Sequence, residues 1–174
     1  LLGCDYIKKY LSDDKDIYYS ENTLNYVVDA FKNNLNIDFL YGPVKKHWAL
    51  LHGYKPWKIY FTWGFYTSHS TGFFIKNSSA KIVGKYNLKY KFSSDYDYFY
   101  RMIVKKKLKG IGISKDKIFG VFRRGGYSSS IKFLDHFKEE IMIRNDNKQN
   151  KILILFIIIY KSFRHFNKII KEQF

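Results

Sequence analysis

Phe92–Arg101 reads FSSDYDYFYR, and some twenty residues later Phe122–Ser129 reads FRRGGYSS. The first stretch has the chemistry of a helix start. Ser94 can cap the free backbone N–H groups, and Asp95 and Asp97 fall in the first turn, where the helix dipole favours negative charge. Phe99, Met102 and Ile103 then supply an apolar face. On spacing alone this is a capped amphipathic helix. The sharper reading is a catalytic carboxylate, because a helix N-terminus lowers the pKa of an acid there and keeps it ready to accept a proton. Asp97, two residues on, does not share the face of Asp95 and is expected to make a structural hydrogen bond. In the second stretch Gly125 and Gly126 permit positive φ and close approach of backbone. Beside Arg123 and Arg124, consecutive N–H groups there can form an anion site.

Working outward, the N-terminal side reads as strand, acidic loop, helix, strand, which is an α/β signature. Asp5–Leu11 is the first strand and runs into Ser12, Asp13 and Asp14. A strand ending in two acids suits a divalent cation, since Mg²⁺ or Mn²⁺ takes one or two carboxylates and completes its shell with water and phosphate oxygens. The same pair also suits a polar turn. Asn22–Asn34 is a helix with Leu24, Val27, Val28 and Phe31 on one face, capped by Ser20 or Asn22 and ended by Asn33 and Asn34. Ile37–Tyr41 is a buried strand stopped by Gly42 and Pro43. The segment 45–66 holds Trp48, Trp57 and Trp63 with His47 and His52, and reads as an insert whose aromatics either pack in the core or stack on sugar rings. A helical turn begins at Asn77 or Ser78. Lys109–Ile113 and Lys117–Phe122 read as paired strands joined by Ser114, Lys115 and Asp116. Ile131–Arg144 is a helix burying Phe133, Leu134, Phe137 and Ile141. After a polar link, Lys151–Phe174 is expected as a basic amphipathic helix with Ile and Phe on one face and Lys and Arg on the other.

Composition bounds the rest. The chain has 174 residues, 46% of them hydrophobic and 20% aromatic, which is enough for one packed domain and too apolar for a disordered one. The net charge of +16 attracts polyanions: phosphorylated substrates, acidic lipid headgroups or nucleic acid. No nucleic-acid-binding motif is visible. Cys4 is the single cysteine, so no disulfide within the chain and no cysteine-based zinc site forms. The longest apolar run, Ile152–Tyr160, is too short to span a bilayer as a helix. The start, Leu1-Leu2-Gly3, lacks a charged leader and is not Met, so a fragment is expected.

SSDYDYFYR followed by FRRGGYSS resembles the distal half of the family 2 glycosyltransferases of the GT-A fold, whose bacterial members carry A-S-D-Y-D-x-x-x-R and then F-R-x-G-G-x-S. Other stretches are similar too. Asp5-Tyr6-Ile7 with Ser12-Asp13-Asp14 resembles the family's G-E-Y-I-x-x-L-N-S-D-D, with Leu11 where the family has Asn or Asp. Asn22-Thr23-Leu24 with Ile37–Gly42 resembles N-T-L and I-D-F-V-Y-G. Thr67–Ile75 resembles H-Q-S/T-x-F, with Ser70 in place of Gln.

The resemblance implies an α/β mixed sheet flanked by helices over residues 1–145, lacking the proximal nucleotide-binding half, with residues 146–174 as the terminal helix. It implies inverting transfer of a sugar from a nucleotide sugar to a glycan or lipid-linked acceptor hydroxyl. Asp95 would be the base, Asp14 the ligand of Mg or Mn, and Asp13 the contact to the ribose. His69, Arg123, Arg124, Gly125 and Gly126 would contact donor phosphate or acceptor. The expected place is the cytoplasm, peripheral at an anionic membrane. The competing expectation is a non-enzymatic basic module for membrane or nucleic acid. Convergence of Asp14, Asp95 and Arg123 on one cleft would favour the transferase.

Overall fold

The computed structural model describes residues 17–19, 22–46, 49–61, 70–122 and 132–173. The expected strand at Asp5–Leu11 lies outside them. The described chain is mixed α/β, with two small mixed sheets and helices, and it divides into two units. One unit comprises Leu1–Lys85 and Met102–Arg124; the other comprises Tyr86–Arg101 and Gly125–Phe174.

The first unit holds both sheets. Strand β1 is Ile17–Tyr19, helix α1 is Thr23–Asn33, β2 is Phe39–Tyr41, β3 is Val44–Lys46 and β4 is Ala49–Leu51. Then come β5 at Phe73–Ile75, helix α2 at Asn77–Val83, β6 at Gly110–Gly112 and β7 at Gly120–Phe122. One sheet has the order β1-β7-β3-β4 and the other β5-β2-β6. In the second, β2 is central, antiparallel to β5 and parallel to β6, with Leu40 opposite Phe74 and Ile111. Its residues Phe39, Leu40 and Tyr41 are all buried, as the apolar run predicts for a strand covered on both faces.

The core of this unit is Val27, Leu40, Phe74 and Phe119, with Tyr26, Ala30, Phe31, Ile111 and Ile113 packed against it. Helix α1 therefore turns inward one position away from the expected face. Thr23 and Val27 are buried while Leu24 is exposed. Thr23 is drawn in by a hydrogen bond from its Oγ1 to the Phe119 carbonyl, 3.0 Å. Asp38 fixes the strand edges: Ser79 Oγ donates to its Oδ1 at 2.7 Å and the Lys109 N–H to its Oδ2 at 2.8 Å. Gly42 is required by close approach, since a Cβ there would sit 2.0 Å from the Phe119 ring. Gly84, at φ 84°, ends α2 in the left-handed region that glycine enters without strain.

The expected pairing of Lys109–Ile113 with Lys117–Phe122 is corrected. β6 pairs β2, and β7 lies in the other sheet between β1 and β3. The turn at Ser114–Lys117 does form, with the Lys117 N–H donating to the Ser114 carbonyl at 3.1 Å. It carries the chain from one sheet to the other rather than reversing it within one. Ile113 N–H donates to Tyr41 and Phe119 N–H to Pro43, so each end is held by the strand region around Gly42.

The second unit is helical. Helix α3 is Ser94–Tyr100, α4 is Phe133–Asp146, α5 is Lys151–Arg164 and α6 is Phe166–Gln173. A π-type turn at Arg101–Lys105 follows α3. Tyr96, Tyr98, Phe99 and Tyr100 of α3 are buried. On α4 the expected buried set is corrected as well. Phe133, Leu134, Phe137 and Ile141 are only partly buried, and the fully turned-in residues are Glu139, Ile143 and Arg144. Arg144 has no exposed surface. Its guanidinium donates to Glu140 at 2.7 Å and to Gln149 at 2.7 Å, and lies 5.1 Å over the Tyr96 ring. A buried cation is tolerated only when paired in this way.

The tail is helical as expected, but it is broken at His165, and α5 carries apolar side chains on both its inward and its outward face. Asn150 caps α5, its side chain accepting the N–H groups of Ile152 at 2.8 Å and Leu153 at 3.3 Å. Ile154 and Ile157 are buried, yet Ile152, Leu155, Phe156, Ile159 and Phe163 are exposed.

Candidate functional site

The sequence motif at Ser94–Tyr100 does begin a helix, and Asp95 and Asp97 lie in its first turn. The cap differs from the expectation. Ser93 rather than Ser94 is the N-cap residue, and its side chain makes no capping bond. Glu139, reaching from α4, instead binds the N–H groups that precede the helix. Its Oε1 accepts the Lys91 N–H at 2.6 Å, and its Oε2 accepts those of Phe92 and Ser93 at 2.7 Å each. Three consecutive N–H groups beside a helix N-terminus form an anion-binding concavity. Here that concavity is filled by the protein's own carboxylate.

The two aspartates have divided roles. Asp97 is 2% exposed. Arg101 Nε donates to its Oδ2 at 2.9 Å and Asn147 Nδ2 to its Oδ1 at 2.9 Å. Asn147 in turn also donates to the Ile143 carbonyl, tying α3 to the end of α4. The expected structural hydrogen bond of Asp97 is thus present in this geometry. Asp95 is partly exposed, and its Oδ1 accepts the Tyr96 N–H at 2.7 Å.

The expected lowering of the Asp95 pKa is corrected in sign. Burial pushes its carboxyl above the ordinary carboxylate range. The backbone N–H groups of Tyr96 and of Asp95 itself oppose that shift, as does the charge of His136, while Glu139 reinforces it. Desolvation is the largest of these effects and sets the direction.

His136 completes the group. It lies one turn before Glu139 on α4, so both side chains share a face. Its Nδ1 is 3.3 Å from Ser93 Oγ, and its ring packs against Phe92 with centroids 5.8 Å apart. Ser93, Asp95, His136 and Glu139 therefore form one polar cluster at the start of α3. His136 and Glu139 were not legible as site residues. The signal available was their spacing of three within a predicted helix.

Asp13, Asp14, His69, Arg123, Arg124, Gly125 and Gly126 lie outside the described residues. Among the described residues no group of three or more His, Cys, Asp or Glu is arranged to hold a metal ion. Of the expected aromatic acceptor surface, Trp57 is described and is 57% exposed. It stands in a short 3-10 turn, Pro56–Tyr60, with Lys58 Nζ 5.9 Å from its ring. No protein-family model, curated protein or solved structure matches the chain.

Proposed function

We propose that this chain belongs to an inverting, GT-A-like glycosyltransferase, and that Asp95 is its general base. The acceptor hydroxyl gives its proton to Asp95. The acceptor oxygen bonds to the anomeric carbon of a nucleotide sugar, and the bond from that carbon to the phosphate oxygen breaks. The nucleoside diphosphate leaves. The observation that supports this reading is the division between the carboxylates: Asp97 is committed to Arg101 and Asn147, while Asp95 is only partly buried as a residue and its carboxyl is raised in pKa by desolvation. A base works best when its pKa approaches the operating pH, so the upward shift suits the role better than the lowering that a helix dipole alone would give.

Asp13 and Asp14 are hard oxygen donors of the kind Mg²⁺ or Mn²⁺ prefers. Asp14 would hold such an ion, which supplies charge neutralisation at the diphosphate when bound. Asp13 would contact the ribose. Arg123, Arg124, Gly125, Gly126 and His69 would bind phosphate or acceptor.

The test is transfer of radiolabelled sugar from a panel of nucleotide sugars to lipid-linked and soluble glycans, with Mn²⁺ present. Asp95→Asn keeps the size and hydrogen bonding of the side chain and removes the base. In a protein with a proximal nucleotide-binding half joined to this chain, turnover is expected to fall by about 10²–10⁴-fold, with donor binding little changed. Near-full transfer in Asp95→Asn rules Asp95 out as the base.

A further inference from the structure

We propose that the outward face of α5 is a docking surface for an anionic lipid bilayer, on which the protein lies peripherally. This does not depend on the transferase reading. Two rows of side chains run along the helix. The first is Ile154, Ile157, Lys161 and then His165 at the helix end. Ile154 and Ile157 are buried, Lys161 pairs with Glu140 and lies 5.4 Å over the Phe137 ring, and His165 packs on Phe133 at 4.5 Å. Those contacts fix this row against α4. The second is Ile152, Leu155, Phe156, Ile159 and Phe163, spaced by three and four. It is offset from the first by two residues, about 200° around a helix of 3.6 residues per turn. It therefore points away from α4, and Ile152 is 67% exposed, Phe156 65% and Phe163 87%.

The occupant is argued from charge. The segment 148–173 holds six Lys or Arg (148, 151, 161, 164, 168, 171) against one acid, Glu172. The carboxylates of α4 nearest to it are already engaged: Glu140 by Arg144 and Lys161, Asp146 by Lys89 and Tyr90, and Glu139 by backbone N–H groups. Lys148 just before α5, Lys151 at its start and Lys168 on α6 are exposed. An exposed row of Ile and Phe within a segment of net positive charge matches the boundary between acyl chains and acidic headgroups. An apolar partner protein would give no use to the cations, and a nucleic acid none to the five exposed aliphatic and aromatic side chains. Among the described residues no helix is long and apolar enough to cross a membrane, so the contact proposed lies in the plane of the surface.

The test is co-sedimentation of the full chain with vesicles of phosphatidylcholine alone or mixed with equal phosphatidylglycerol. Binding is expected to the mixed vesicles and to weaken with added salt. Phe156→Ser combined with Phe163→Ser should reduce it by tenfold or more, with unchanged circular dichroism, since neither side chain faces α4. Lys151→Gln combined with Lys168→Gln should reduce binding to the mixed vesicles by about fivefold per lysine and leave neutral vesicles unaffected. Equal binding to neutral vesicles overturns the headgroup part of the proposal. Three results overturn it altogether: vesicle binding unchanged by the Phe pair, a dimer in sedimentation that the Phe pair dissolves without any vesicle binding, and duplex RNA binding without vesicle binding.

Discussion

The cluster at the start of α3 uses three carboxylates in three ways, and environment rather than residue type separates them. Glu139 is a structural anion held by three N–H groups, Asp97 a buried ion-pair and amide partner, and Asp95 a partly exposed acid that burial discourages from ionising. Replacing Glu139 by Gln removes charge-assisted bonds and should destabilise the fold by about 1–3 kcal/mol, measurable by urea unfolding. Asp95 carries a stability consequence of opposite sign. Its folded pKa is raised, so the native state holds its proton more tightly than the unfolded chain. Stability from this group is fully present below the unfolded pKa, near 3.9, and is lost as pH rises through the folded value. Asp95→Asn is therefore expected to be more stable than the parent at pH 7, with the gain disappearing toward pH 3. Thermal melts across that range check the sign. The position of Asp95 was legible from Ser and Asp at a helix start. The sign of its pKa shift was not, because burial by α4 is a tertiary fact, and neither was the role of Glu139, whose partners are backbone groups 46–48 residues away.

At the scale of elements, the sequence was most readable where periodicity is local. Helix α1 was expected within a residue of its ends, but its inward face was placed one position off because the Thr23 hydroxyl has a distant carbonyl to satisfy. The β6–β7 hairpin was misread because a short turn between two apolar runs is ordinarily a reversal. Here β6 and β7 each find a parallel partner, β2 and β3, that lies far back in the chain. Those two partners meet at Gly42, and that joint makes a prediction. Gly42→Ala would put a methyl group 2.0 Å from the Phe119 ring, a side chain with no exposed surface. A loss of about 2–3 kcal/mol is expected in denaturant unfolding, from overpacking a core that cannot shift freely. The join of α5 and α6 is pH-sensitive in a defined direction. Burial, followed by the charges of Lys168, Arg164 and Lys161, lowers the His165 pKa. The native state thus binds its proton less readily than the unfolded chain, and its contribution is lost as pH falls below about 6.5. His165→Phe should flatten that part of the stability profile.

For the whole molecule, the α/β class was legible because strands and helices alternate with strong turn signals, and the described residues do form two small mixed sheets with helices. Most of the proposed site rests on the resemblance of short motifs, and Asp95 is the member of it that the described residues contain. One carboxylate of SSDYDYFYR is proposed to perform chemistry, while the other is held in hydrogen bonds to Arg101 and Asn147. The most direct measurement is sugar transfer per folded molecule for Asp95→Asn and Asp97→Asn, each with its thermal midpoint from the same preparation. With a nucleotide-binding half joined to the chain, Asp95→Asn should lose about 10²–10⁴-fold in turnover without losing stability. Asp97→Asn should lose about 2 kcal/mol, or 4–8 °C, and keep most of its turnover below its melting range. An Asp97→Asn protein that is folded and inactive, beside an Asp95→Asn protein that is fully active, would contradict it.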